Sequence, residues 1–117
     1  MSRKVELQKE DILMNEVNET DWKYFRSQLD TWREHFLSKV NQKIASILTD
    51  EKLNETDKFW KLKKACEQKA RVLSDCFDDI GRSTMLLRLA AMYKNKIITN
   101  DDLQTFQDES VKQIEKW

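Results

Sequence analysis

The sequence predicts an all-α protein, a four-helix bundle in which a long helical hairpin is closed by a short one. Three observations carry that prediction. The 117 residues include no Pro and one Gly, whereas sheets and α/β crossovers draw on both residues for the backbone angles of their turns. Apolar residues recur at intervals of three and four over long stretches, as on one face of a helix. The polar breaks between those stretches hold Thr, Ser, Asn and Asp, which cap helix starts. A chain of this length encloses one core. It reads as a single helical domain, residues 18–117, preceded by an N-terminal extension, residues 1–17.

In the extension Val5, Leu7, Ile12, Leu13 and Met14 alternate with charge. That pattern suits a segment that is partly helical or disordered. From Thr20, a capping residue, and Asp21, a negative charge suited to the helix dipole, the first helix covers about 21–48. Its face is Trp22, Phe25, Leu29, Trp32, Phe36, Val40, Ile44 and Ile47. A polar break follows, and Thr56 is placed to cap a second helix over about 57–80. Phe59, Leu62, Cys66, Ala70, Leu73, Phe77 and Ile80 fall at helical spacing on it, and Gly81 stands where a left-handed residue commonly ends a helix. Ser83 can cap a third helix, about 84–95, that is apolar almost all round and must therefore be surrounded. Thr99 with Asp102 forms a capping box with the shorter acid. It opens a fourth helix, about 100–116, presenting Leu103, Phe106, Ile114 and Trp117.

Composition and spacing narrow the function. Twenty-one basic and 21 acidic residues cancel, so no global charge draws the chain to nucleic acid or anionic lipid. No apolar run approaches the ~20 residues of a membrane span. The N-terminus lacks the apolar core of a secretory signal, and the chain is expected in the cytoplasm. Cys66 and Cys76 lie ten residues apart on one helix, about 15 Å along its axis, too far for a disulfide. They read as buried free thiols. One His, His35, cannot build the usual multi-His zinc site, and Glu34 beside it projects about 100° away. A single Gly leaves no phosphate-cradling loop. The residues therefore suggest no catalytic site, no metal site and no cofactor, and the expectation is that this is not an enzyme.

Two features suit binding. Lys58, Lys61, Lys64, Gln68 and Arg71 recur at three and four on the second helix, about 200° from Phe59 in the case of Lys61, with Trp60 alongside. Such a stripe grips phosphate and stacks on a base, although Asp75, Asp78 and Asp79 interrupt it. Large aromatics are the second feature. Trp22, Trp32, Phe36, Phe59 and Phe77 sit on the core stripes, whereas Trp60 and Trp117 do not, and Leu87 lies on the far side of an already apolar helix. A partner would cover such residues.

Four segments also carry a resemblance: Asp21-Trp22-Lys23-Tyr24-Phe25-Arg26, Asp57-Lys58-Phe59-Trp60-Lys61-Leu62, Arg82-Ser83 followed by Met85, and Ile97-Ile98-Thr99-Asn100-Asp101-Asp102-Leu103 with Phe106. Over about residues 14–117 they resemble small uncharacterised helical proteins of Gram-positive bacteria. The multidrug-transporter label that some of those carry does not fit a chain without a membrane span and is not carried over. The third and fourth helices resemble short C-terminal helical hairpins associated with oligomerisation, except that Lys94, Asn95 and Lys96 stand where a Gly is common.

The leading expectation is a non-enzymatic helical interaction module, binding another protein or a second copy of itself through Trp60, Leu87, Met92, Tyr93 and Trp117. The alternative is a nucleic-acid-binding regulator using Lys58, Lys61, Lys64 and Arg71. A small-molecule pocket lined by Trp22, Trp32 and Phe77 is a third expectation.

Overall fold

The structure, a computed structural model, describes residues 17–116. Helix α1 (Glu19–Leu48) and helix α2 (Glu55–Phe77) form the expected long hairpin. A 3-10 turn, Arg82–Thr84, leads into α3 (Met85–Lys94), then α4 (Asn100–Gln104), α5 (Glu109–Lys112) and a last 3-10 turn, Ile114–Lys116. There is no strand among the described residues. Of the N-terminal extension only Val17 is described, and it is buried in the core.

Both long helices start earlier than expected, and for the same reason. Asn18 rather than Thr20 caps α1, its side chain accepting the Asp21 N–H at 2.8 Å. Asn54 rather than Thr56 caps α2, accepting the Asp57 N–H at 2.8 Å. The tetrapeptide Asn-Glu-Thr-Asp occurs twice, at 18–21 and 54–57. Each copy places Asn at the cap and an acid in the first turn, where the dipole favours it.

Helix α2 ends at Phe77, before the expected Gly81. The left-handed residue is Asp79, at φ 51°, a role Asp tolerates better than most side chains. Gly81 is extended, and its N–H donates to the Thr84 hydroxyl at 3.0 Å. That hydroxyl donates in turn to the Asp79 carbonyl at 2.6 Å. Ser83 therefore lies inside the 3-10 turn instead of capping α3. At the other end of α3, Lys96 N–H reaches the Tyr93 carbonyl at 3.1 Å and Ile97 N–H reaches Met92 at 2.9 Å. These two bonds are the Schellman closure, with Lys96 held at φ 60° where Gly is usual. A side chain there costs about 1–2 kcal/mol relative to the right-handed region.

The expected fourth helix, 100–116, is broken into α4, α5 and a 3-10 turn. The Thr99–Asp102 capping box forms, with Asp102 Oδ2 accepting the Thr99 N–H at 2.7 Å. Past α4 the N–H groups of Gln107 and Asp108 donate to the Asp21 carboxylate, both at 2.8 Å. A continuous helix would have pointed them at carbonyls four residues back. Asp108 then restarts the chain as a cap, accepting the Ser110 N–H at 2.8 Å.

The core gathers at one end of a molecule measuring 53 × 33 × 23 Å. Phe25, Trp32, Cys76, Met85, Leu89, Met92, Leu103 and Phe106 form it with their neighbours. Phe25 lies 5.9 Å from Trp22 and 6.3 Å from Trp32, and Tyr24 meets Phe106 edge-on at 5.0 Å. Helix α3 is covered as its composition requires, except at Leu87, which is 40% exposed. Beyond this base the two long helices project as an arm, in which only Val40 and Ala65 are buried.

Candidate functional site

Along the arm α2 turns inward a face that overlaps the expected one only in part: Leu62, Leu73 and Phe77 are half-buried, but Phe59, Cys66 and Ala70 are not. Lys58, Leu62, Ala65, Lys69, Val72 and Cys76 are packed or half-packed, a four-three repeat like the seam of two helices lying side by side, and near the base Leu73 and Phe77 of the expected stripe are half-buried as well. Two helices without a third layer bury only that narrow stripe. Ala65 is small enough to let the backbones approach, and Lys58 and Lys69 are half-buried at the seam, Lys58 with its ammonium on Glu55. Phe59, Cys66 and Ala70 each follow a seam residue by one position, about 100° around the helix, so Phe59 is 58% exposed, and Cys66 and Ala70 are exposed as well. Cys66 and Cys76 are both free thiols, but only Cys76 is buried. Burial and then the Asp75 carboxylate push the Cys76 thiol up to about 11, against smaller opposing pulls from Arg88 and Asn95.

The shifted seam leaves an aromatic pair at the far end of the arm. Phe59 and Trp60 meet edge to face at 5.2 Å, and Trp60 is 56% exposed. Trp60 lies on the side of α2 opposite Lys58 and Cys76. The Lys63 ammonium sits 5.3 Å from the Trp60 ring, within cation–π range. Leu53, Asp57, Trp60, Lys61 and Lys64 enclose a shallow depression beside it.

The other expected binding residues divide. Leu87 is exposed, Tyr93 is half-buried, and Met92 is fully buried. Met92 is therefore a core residue and not a contact for a partner, because α3 turns it inward with Met85 and Leu89. Trp117 lies outside the described residues, as do residues 1–16. Of the basic stripe, Lys58 leaves the set: it packs at the seam and pairs with Glu55 at 3.2 Å. Lys61, Lys64 and Arg71 are exposed, Lys61 and Lys64 on the flank of α2 that faces Lys43 and Ile47 of α1. Trp32 is buried, and Trp22 and Phe77 pack against the core, so they fill space instead of lining a pocket.

A second concave surface was missed because its residues come from three elements. His35, Phe36, Lys39, Val40 and Lys43 of α1, Lys69 of α2, and Asn95, Lys96 and Ile97 of the turn after α3 line a groove of about 260 Å³. On α1 alone, His35, Lys39 and Lys43 recur every four residues, a polar stripe beside the apolar one.

Among the described residues no group of three His, Cys, Asp or Glu is arranged to hold a metal ion. No helix among them is long and apolar enough to cross a membrane. Comparison of the chain with protein-family models, curated proteins and solved structures returns no match.

Proposed function

We propose that this chain is a non-enzymatic helical interaction module of the cytoplasm that docks proteins through the tip of its arm, a second copy of itself being the first such partner. The observation that carries this reading is the exposure of Phe59 and Trp60 together, beside an Asn-Glu-Thr-Asp turn. The identical turn at the base is covered: Asp21 is 1% exposed, takes two backbone N–H groups from the C-terminal segment, and is followed by a packed Trp22. Two adjacent large aromatics in water are the kind of anchor that concentrates binding energy at an interface. The patch is small, so the association is of the weak, transient class. The cytoplasm suits Cys66, whose exposed thiol stays reduced there.

Light scattering over a range of protein concentrations tests the proposal. The wild type is expected to gain mass with concentration, and the Phe59→Ala, Trp60→Ala double variant to remain a monomer with an unchanged circular dichroism spectrum. A wild type that stays strictly monomeric at millimolar concentration would overturn self-association through the tip.

The nucleic-acid reading keeps one favourable observation, the exposure of Lys61 and Lys64 next to Trp60. It expects salt-dependent retardation of DNA or RNA in an electrophoretic mobility assay. Changing Lys61, Lys64 and Arg71 to Glu should abolish that retardation. Unaltered mobility of both nucleic acids at low salt disposes of it.

A further inference from the structure

The groove between the arm and the base is a concentration of one charge in a chain whose total charge is zero. Lys39 and Lys43 stand on one side, Lys69 enters from α2, and Lys96 closes the end, while among the described residues no carboxylate lines the cavity. None of the ion pairs among the described residues uses any of these four lysines. Elsewhere the molecule does pair such groups: Lys58 has Glu55, Lys63 has Glu67, and Arg82 has Glu19. Like charges four residues apart on a helix, as Lys39 and Lys43 are, repel each other. A cleft lined by one sign of charge collects counter-ions.

Lys96 strengthens this pattern. It occupies the left-handed position that closes α3, at φ 60°, where Gly is conformationally cheaper. The chain holds an ammonium group at that corner in spite of the cost. The floor of the groove is apolar, made by Phe36, Val40 and Ile97. Its volume of about 260 Å³ falls just under the ~300–1,000 Å³ usual for small-molecule pockets.

We infer that the groove binds a small organic phosphate, with its phosphate groups among Lys39, Lys43, Lys69 and Lys96 and a compact apolar or planar group against Phe36, Val40 and Ile97. This site is separate from the aromatic tip and does not depend on it.

Isothermal titration calorimetry of the full chain with ADP and with inorganic pyrophosphate tests the assignment. Saturable one-to-one binding of both is expected, ADP at least tenfold tighter because only ADP offers a planar group to the floor. The Lys39→Glu, Lys43→Glu double variant should weaken both at least tenfold. Lys23→Glu, Lys52→Glu, which makes the same change in net charge at exposed positions at the two ends of α1 and beyond, should leave them within twofold. Lys96→Gly separates binding from folding, since it should raise Tm by relieving the backbone and still weaken ADP. Equal affinity for ADP and pyrophosphate would overturn the role of the apolar floor. No saturable binding of either at millimolar concentration, or equal losses in the two double variants, would overturn the site.

Discussion

The two Asn-Glu-Thr-Asp turns have the same sequence and the same cap, yet they meet opposite fates. At the base, Asp21 is buried and its carboxylate holds the backbone of Gln107 and Asp108. At the tip, Asp57 is exposed. The base turn leads into Trp22, which lies against Phe25 with Arg26 and Arg82 each 5.8 Å from its ring. The tip turn leads into Phe59 and Trp60, each more than half exposed. Local sequence thus decides where a helix starts. What covers that start is decided by the rest of the chain, and here the C-terminal segment covers one copy and not the other.

Core packing gives the largest contrast by which that comparison can be broken. Phe25→Ala empties a fully buried site at the base and should cost about 3–5 kcal/mol. Phe59→Ala, at a mostly exposed site, should cost less than about 1 kcal/mol. Urea unfolding curves of the two variants measure both, and equal losses would mean that the tip is packed.

The matched acids give the next contrast. Asp21→Ala removes three charge-assisted hydrogen bonds, one from the Asn18 side chain and two from backbone N–H groups, and leaves those two backbone donors without their partner, a loss of about 3 kcal/mol or more. Asp57→Ala removes only a favourable charge at a helix start, about 0.3–1 kcal/mol. The same unfolding measurement checks the difference, and amide exchange at Gln107 and Asp108 should quicken in the first variant alone.

Much of this was legible in the sequence because it is local. The helical spacing of Trp22 to Ile47, the break near Asp50 and the Thr99–Asp102 box all act within a few residues. The inward face of α2 was legible only in part: Leu62, Leu73 and Phe77 of the expected stripe are half-buried, but Phe59, Cys66 and Ala70 continue it as regularly as Ala65, Val72 and Cys76 do. Only the presence of a single neighbouring helix along the arm, which admits a narrow seam, separates them. The break in the C-terminal segment was hidden for a similar reason, since it depends on Asp21, more than 80 residues away. Trp60 was readable as an edge aromatic from its offset, but its pairing with an exposed Phe59 was not. The basic groove draws on α1, α2 and the turn after α3, which no window on the sequence brings together.

The two thiols sharpen the contrast between packed and open faces of α2 with a smaller effect. Under native conditions Cys66 should react with a thiol reagent at once, and Cys76 only after unfolding. Because burial raises the Cys76 thiol from 9.0 to about 11, the folded state keeps a proton that the unfolded state releases over that range. Stability should therefore fall as pH rises from about 9 to about 11. Comparing the wild type with Cys76→Ala isolates this contribution, because other groups that titrate in alkali are common to both.

The four indole N–H signals of Trp22, Trp32, Trp60 and Trp117 can be followed by NMR as protein concentration rises from micromolar to millimolar. An uncovered docking tip predicts that the Trp60 signal moves with concentration while the buried Trp32 signal stays fixed, and that Phe59→Ala suppresses the movement. A Trp60 signal that holds its position across the whole range would contradict it.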